Sequence, residues 1–386
     1  MGDIHYLALF SGLTFESAQP LGHLMSDTKI RFSSRDGADF VKEVKREVNQ
    51  YFVTTGKSKH SNWAMRLKTV GILAMFLGPY ALILFGSFTL MQMWFLTFVM
   101  GVGVAGVGFS VSHDALHGAY SKHAWINAGF GYFFDLIGAN SYMWKITHNV
   151  IHHTYTNITG VDEDLTVSPL VRLSPEAPRY SFHRFQHFFA FPAYSLATIN
   201  WLFAKDFQQF LKKDIGPYKN KKHPPFEIFM LFISKFAAVM YQIVIPLWLL
   251  DITFVQFLIG FLTMHMTAGL ILGVIFQLAH VVEGPEFLQP DENGDMESAW
   301  LIHEMRTTAN FARNNHLLTW YVGGLNYQIE HHLFPQTCSI HYPELSKIVR
   351  KVAEKHNVPY NYHPTLVKSV KSHIAMLKML GQPVAA

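Results

Sequence analysis

Long apolar runs dominate the pattern of hydrophobic and polar positions along this chain, and they come in two pairs. Each run approaches the roughly 20 residues that a helix needs to cross the hydrocarbon core of a bilayer. The short segments inside the two pairs, 86–89 and 251–253, contain no Lys or Arg. The pattern therefore predicts two transmembrane hairpins, with spans at residues 70–85, 90–111, 228–250 and 254–278.

Shorter apolar stretches lie around and between these runs. One of them places Phe40, Val44 and Val48 on the same side of an amphipathic helix. Two others are interrupted by charged residues and histidines, which are costly at bilayer depth, so we expect interfacial or re-entrant helices there. The predicted helices of these kinds cover residues 39–52, 124–139 and 181–203, and a solvated helix is expected at 342–356.

These elements define the expected architecture. The fold class is an all-α integral membrane protein with four transmembrane helices in two hairpins, interfacial helices and a cytoplasmic cap that carries a His-rich site for two metal ions. We expect an N-terminal cytoplasmic segment with the amphipathic helix at 1–68, a membrane domain at 69–335 and a C-terminal helical tail at 336–386.

Composition and charge agree with a membrane protein. Only 15% of the residues are charged and 50% are hydrophobic, whereas soluble globular chains carry about 25% charged residues. Lys and Arg gather in the first 68 residues and at 212–222, which predicts that both termini and the middle loop are cytoplasmic. The net charge of +4 suits an anionic lipid surface, and no nucleic-acid-binding motif accompanies it. The sole cysteine, Cys338, excludes an intramolecular disulfide or a cysteine-based metal site within this chain.

Candidate chemistry lies in histidines near the predicted cytoplasmic ends of the spans. A spacing of four puts two imidazoles on one face of a helix, and this spacing occurs in HDALH and again in HNVIHH. A third motif, QIEHH, adds an adjacent pair, and one more histidine follows the fourth span. The eight candidates are His113, His117, His148, His152, His153, His280, His331 and His332.

Eight imidazoles suffice for two metal ions that keep open positions for a small molecule. Without sulfur ligands, iron is chemically reasonable and zinc is the competitor. Carboxylates within the motifs are expected to orient imidazole rings without binding the metal. The candidates for orienting rings or contacting substrate are Asp114, Glu330, Trp144, Asn326 and Gln328, followed by Asp162 and Asp164.

The order HDALH, HNVIHH and QIEHH, with the longer segments WKITHNVIHHTYTN and GGLNYQIEHHLFP, resembles the membrane fatty-acid desaturases. The resemblance is greatest to the front-end or linoleoyl-CoA type, and it covers about residues 110–335. It implies a cis-desaturase acting with O₂ on a fatty acyl chain carried by coenzyme A or a lipid. It also implies a kinked acyl tunnel and two iron ions held by the seven histidines of the three motifs, with His280 at an extra ligand position.

Other implications concern partners and location. Many eukaryotic relatives carry a fused cytochrome b5 domain with an HPGG motif, and this sequence has no HPGG. We therefore expect electrons from a separate carrier such as ferredoxin or cytochrome b5, and a location in a bacterial inner membrane. Apolar residues of the second and fourth spans, namely Phe109, Met264, Leu270 and Phe276, are expected to line the tunnel.

Three alternatives remain open at this point. A hydroxylase or epoxygenase would use the same motifs, because substrate placement can decide the outcome. A zinc-dependent membrane hydrolase would need only four or five of the histidines. A metal transporter would require ligands inside the spans, where His265 is the main example, and Lys235 in the third span is expected to extend its ammonium toward the cytoplasm.

Overall fold

Helices form most of the structure, a computed structural model that describes residues 29–165, 169–217, 219 and 222–383. Residues 1–28 of the expected N-terminal segment lie outside the described residues. The helices up to the second hairpin are α1 (Ala38–Thr55), α2 (Trp63–Phe85), α3 (Leu90–Leu116), α4 (Ala124–Leu136), α5 (141–155), α6 (Gln186–Ser195) and α7 (197–211). The second hairpin and the cap comprise α8 (Pro225–Leu249), α9 (Phe254–His280), α10 (Trp300–Thr307), α11 (His316–Tyr321), α12 (Gln328–Leu333), α13 (Tyr342–Lys355) and α14 (Leu366–Leu380).

Four of these helices, α2, α3, α8 and α9, are long and apolar enough to cross a membrane. The structure thus confirms the predicted number and pairing of spans. The first span starts before its apolar run because Asn62 caps the helix and accepts a hydrogen bond from the backbone N–H of Met65. The second continues beyond its apolar run through wider π-helical turns at Val107–Ser112 to Leu116.

Helix α3 lies at the centre of the bundle, where it packs against both α2 and α9. Its glycines allow the backbones to approach closely: a Cβ atom added to Gly103 would lie 2.6 Å from the carbonyl oxygen of Met75. Small residues at helix contacts permit this kind of packing inside a membrane. The contact aligns the ends of α3 and α9, where His113 and His280 are located.

The expected amphipathic helix is α1, which covers the described residues around 39–52 and buries Phe40, Val44, Val48 and Phe52. Its buried face packs against α13, so the N-terminal and C-terminal segments form one cap. Two short parallel strand pairs brace the cap, with β1 (Arg31–Phe32) beside β2 (Asp295–Met296) and β3 (Ala309–Phe311) beside β4 (Asn361–His363).

Two polar residues inside the bundle have partners that the sequence did not reveal. The ammonium of Lys235 does not extend to the membrane surface as expected; it is buried and forms an ion pair with Asp206 at 2.5 Å. It also donates to the carbonyl oxygens of Gly138 and Trp201. His265 is hydrogen-bonded to Thr198 and Gln242. Its buried ring is therefore satisfied, which weakens the transporter alternative.

Candidate metal centre

Four histidines from three separate segments form the first half of the centre. Each offers a ring nitrogen, and these nitrogens all lie within 4.8 Å of one another. The end of α3 supplies two of them, while α5 and α12 supply one each. The members of this half are His113, His117, His148 and His331. The spacing of four places His113 and His117 together as expected, whereas His148 and His152, which have the same spacing, belong to different halves.

The second half consists of His152, His280 and His332, whose ring nitrogens also lie within 4.8 Å of one another. His280 comes from the end of the fourth span, so the placement of α9 beside α3 brings it into the centre. His153 lies between the two halves, with ring centroids 4.5 Å from His331 and 4.4 Å from His332. All eight candidate histidines are thus brought together.

The free nitrogens in this cluster fit a metal-binding role. Buried polar atoms in proteins are almost always hydrogen-bonded. Here, within the part of the chain that the structure describes, both ring nitrogens of His153 are buried and have no hydrogen-bond partner. The same holds for one nitrogen, Nε2, of six further rings, those of His117, His148, His152, His280, His331 and His332. Atoms that would be costly without a partner therefore point inward, as metal ligands do.

The electrostatics of the cluster keep most rings neutral, the form that coordinates metals. Burial, followed by the charge that neighbouring imidazoles would carry, holds the pKa values of five rings well below the usual range; these are His117, His148, His153, His331 and His332. Burial also opposes protonation of His152, but the charge and hydrogen bond of Asp162 outweigh it and raise the pKa of His152.

Carboxylates hold three of the rings from outside the cluster. Nδ1 of His148 lies 3.0 Å from Oδ2 of Asp164, and Nδ1 of His152 lies 3.0 Å from Oδ2 of Asp162. A carboxylate at Nδ1 fixes the tautomer that leaves Nε2 free for a metal. The sequence had suggested both aspartates for such an orienting role.

The sequence had not suggested the third carboxylate, that of Glu304 in α10. Its Oε2 lies 2.7 Å from Nδ1 of His332, and both side chains are fully buried. Two uncharged groups hold further rings: the Tyr342 hydroxyl lies 3.2 Å from Nδ1 of His331, and the Thr307 carbonyl oxygen 3.3 Å from Nδ1 of His280. A charged residue on the buried face of a helix, as in LIHEMR, is the signal that could have identified Glu304.

The carboxylates inside the motifs have other partners. Oδ2 of Asp114 accepts hydrogen bonds from the backbone and the hydroxyl of Ser339, and its other oxygen is 4.0 Å from Nδ1 of His113. Glu330 is hydrogen-bonded to Asn310 and Tyr360. Asp114 thus lies beside His113 and also fixes the Ser339 backbone, whereas the partners of Glu330 are two side chains outside the cluster.

Three other candidates also have defined places. The Trp144 indole stacks on the His148 ring at a centroid distance of 4.3 Å and contacts the cluster directly. Asn326, in the turn before α12, donates a hydrogen bond to the Thr319 hydroxyl on α11, away from the cluster. Gln328 is buried in the first turn of α12, and the described structure shows no hydrogen bond from its side chain to an imidazole.

The turn before α12 places the third motif against α3. Gly323 has a φ of 62°, and a Cβ atom there would lie 2.4 Å from the carbonyl oxygen of Phe109. A side chain would therefore both strain the backbone and push α12 away from α3. The close approach explains how residues more than 200 positions apart, His113 and His331, come to share one site.

The residues expected to line a tunnel have different environments. Phe276 contacts the cluster, with its ring centroid 5.2 Å from that of His152, and Phe109 is buried. Met264 lines an apolar cavity of about 480 Å³ between the far ends of the spans. Leu270 is 38% exposed on the outer surface of α9, so its predicted place in a tunnel is wrong.

Comparison with protein families gives a match over most of this structure. The family model described as "Fatty acid desaturase" matches residues 88–364, a range that includes all eight histidines.

Several curated proteins are similar along nearly the whole chain. The "sn-1 linoleoyl-lipid 6-desaturase" of Arthrospira platensis is 38% identical over 92% of this chain and 95% of its own length. The protein of the same name from Synechocystis sp. is 36% identical over 93% of this chain and 99% of its own length. The "Acyl-lipid (8-3)-desaturase" of Physcomitrium patens is 33% identical over 91% of this chain and 74% of its own length.

Proposed function

We propose that this chain, which belongs to the fatty acid desaturase family, is an O₂-dependent front-end desaturase that acts on acyl chains in membrane lipids. It would insert a cis double bond between an existing one and the ester end of the chain. The relatives from Arthrospira and Synechocystis, which are named as linoleoyl-lipid 6-desaturases, support both the lipid-bound substrate and a double bond near the ester.

The observation that carries the proposal is the cluster of eight buried imidazoles with inward-facing, unpartnered nitrogens. An all-nitrogen donor set suits iron, and the only thiol, that of Cys338, donates to Asp114 outside the cluster. Bound iron would supply the oxidising power to remove hydrogen from an unactivated methylene, which no side chain has. We infer that the two groups of histidines hold one iron ion each, with His153 available to either.

The overall reaction requires an external reductant. Converting –CH₂–CH₂– to –CH=CH– removes two hydrogen atoms, and O₂ needs these together with two electrons and two protons to become two molecules of water. A separate one-electron carrier such as ferredoxin or cytochrome b5 would deliver the electrons. The distribution of Lys and Arg supports a cytoplasmic location for the centre, and the relatives from Arthrospira and Synechocystis support a bacterial membrane.

The side chains around the cluster would position rings and substrate. Asp162, Asp164 and Glu304 fix three imidazoles, which would keep the metal geometry constant while the acyl chain enters. The faces of Trp144 and Phe276 contact the rings and would form apolar walls beside the metals. Such walls would hold one pair of methylenes within reach, because a small displacement changes which carbon reacts.

The test is a fatty-acid profile from a host that is fed linoleate and co-expresses an electron donor. Gas chromatography and mass spectrometry after double-bond derivatisation should show a new, more unsaturated acid with the wild-type chain. The acid should be absent with His331→Ala and retained with His316→Ala, since His316 is exposed and lies outside the cluster.

Other outcomes would change the assignment. A hydroxylated or epoxidised acid would keep the site and change the reaction. The absence of any new acid, together with zinc and no iron in the purified protein, would reject desaturation in favour of a zinc-dependent hydrolase.

A further inference from the structure

A surface cavity of about 600 Å³ reaches the candidate metal centre at His117. Three segments surround it: the chain just before α2, the turn that follows α3 and the turn that follows α12. Two contacts join the chain before α2 to the turn after α3. Nδ1 of His60 lies 3.2 Å from the Ala119 carbonyl oxygen, and the Ser61 N–H donates to the Tyr120 carbonyl. Its lining residues are Lys59, His60, His117, Gly118 and residues 333–337.

The rim of this cavity carries a positive charge and no negative one. Lys59 is the one Lys or Arg among the lining residues, and none of them is Asp or Glu. Lys59 lies on the rim itself and is exposed; its ammonium is 3.4 Å from the Asn49 side-chain oxygen and 5.5 Å from the Phe52 ring. No carboxylate forms an ion pair with Lys59 in the described ranges. A positive charge therefore stands at the entrance, available to an anion.

Large apolar side chains place the same rim at the membrane surface. Trp63 is 69% exposed and Trp125 is 75% exposed. Trp63 follows the lining residue His60 by three positions, and Trp125 follows Gly118 by seven. Tryptophan is enriched where the hydrocarbon core meets the headgroups. Because α2 enters the membrane directly after the rim, lipid headgroups would lie beside the cavity entrance.

Building on the proposed function, we propose that this cavity is the entry site for the polar end of an anionic membrane lipid, with Lys59 binding the headgroup phosphate. A front-end double bond lies only a few carbons from the ester. About five carbon–carbon bonds of about 1.5 Å span roughly 6 Å along the chain. The ester must therefore sit close to the metals, and this cavity has His117 in its wall and Lys59 at its rim.

The location favours a lipid over a soluble partner. A basic surface also attracts acidic carrier proteins, but such a carrier would need a face that projects into water, and the exposed tryptophans place this rim in the headgroup layer. The cavity volume lies within the range of small-molecule sites. It is large enough for a glycerol ester and its phosphate, whereas a carrier protein could not enter it.

The test measures lipid binding by the purified full chain in neutral detergent, without oxygen or an electron donor. The probes are fluorescent phosphatidylglycerol, which is anionic, and fluorescent phosphatidylcholine, which has no net charge. Lys59→Glu should raise the Kd for phosphatidylglycerol about fivefold or more, as expected for a basic residue near a lipid phosphate. Lys59→Arg should leave it within about twofold. Lys371→Glu is the matched control, because Lys371 is exposed on α14 outside the cavity.

The binding results decide the proposal independently of catalysis. An unchanged Kd in Lys59→Glu, or an equal rise in Lys371→Glu, would overturn it. In a parallel assay with linoleoyl-phosphatidylglycerol and reduced ferredoxin, Lys59→Glu should raise the KM for the lipid. A rise in the KM for ferredoxin alone would assign the surface to the carrier and also overturn the proposal. Wild-type protein that binds the lipid but forms no unsaturated product would contradict the proposed function and leave the binding site standing.

Discussion

Oε2 of Glu304 lies 2.7 Å from Nδ1 of His332, and neither side chain is exposed to solvent. Thr156 donates a second hydrogen bond to the same oxygen. This arrangement orients the ring so that its unpartnered Nε2 faces the cluster. We predict that Glu304→Gln lowers desaturation and iron affinity about 10-fold to 100-fold, the usual cost of removing a partner that orients a metal ligand.

Iron content and product formation of the purified variant would test this prediction. Glu297→Gln is the matched control, because Glu297 is 86% exposed and its contact with Arg306 lies outside the cluster. Full activity and full iron content in Glu304→Gln would show that His332 needs no carboxylate. An equal loss in both variants would point to a general effect on the cap.

His280 offers a way to separate the two halves of the centre. It belongs to the group with His152 and His332 and comes from a different helix than either. We predict that His280→Ala lowers the iron content from two ions to about one per chain and abolishes desaturation, since one of three ligands is lost.

Metal analysis by mass spectrometry would measure the change, with His316→Ala as the matched variant. A content of two ions in His280→Ala would mean that this side chain is not a ligand. Loss of both ions would show that the two halves do not bind independently.

Much of this architecture was predictable because a bilayer imposes simple rules. A membrane-spanning helix must be long and apolar, so the four spans were visible as runs, and the spacing within HDALH and HNVIHH already placed imidazoles on common helix faces. The placement of His280 beside the motifs also followed from topology, since α9 and α3 both end on the same side of the predicted bundle.

The residues that orient the rings were less predictable. Asp114 and Glu330 are neighbours of histidines in sequence, but in a helix adjacent side chains point in different directions, so both contact other parts of the chain. Glu304 reaches His332 through a tertiary contact that no spacing reveals. Helix α14 lies within the expected helical tail at 336–386, but its bounds were not predicted; it packs against α6 and α9.

The contact between α1 and α13 should depend on pH. Glu43 on α1 is hydrogen-bonded to Lys355 and His356 at the end of α13, and these bonds lower the pKa of Glu43 to about 2. Because the folded pKa lies below the unfolded value of about 4.5, the carboxylate contributes stability above pH 4.5. The contribution is lost as the pH falls from about 4.5 toward 2.

Thermal unfolding of wild type and Glu43→Gln in detergent would test this dependence. We expect a lower midpoint for the variant at pH 7 and a difference that shrinks as the pH falls below 4.5. Glu47→Gln is the matched control, since Glu47 lies on the same helix and forms an ion pair with Arg46 of that helix, not with α13. A difference that stays constant down to pH 3 would contradict the assignment.

The buried ion pair of Lys235 and Asp206 should stabilise the membrane bundle. The Lys235 ammonium on α8 donates a 2.5 Å hydrogen bond to the carboxylate of Asp206 on α7 and two more to backbone carbonyls. Every hydrogen of the ammonium therefore has an acceptor. Removing one member of such a pair leaves an uncompensated charge away from water. We predict that Asp206→Leu lowers the free energy of unfolding by about 3–5 kcal/mol.

The double variant Asp206→Leu with Lys235→Met should lose less than the sum of the two single variants, because neither charge is then left alone. Unfolding in mixed micelles would provide the four free energies of this cycle. The exposed pair of Glu344 and Lys347 on α13 is the comparison, and there we expect no measurable coupling. Additive losses at Lys235 and Asp206 would mean that each residue stabilises the bundle separately, through its backbone contacts rather than through the ion pair.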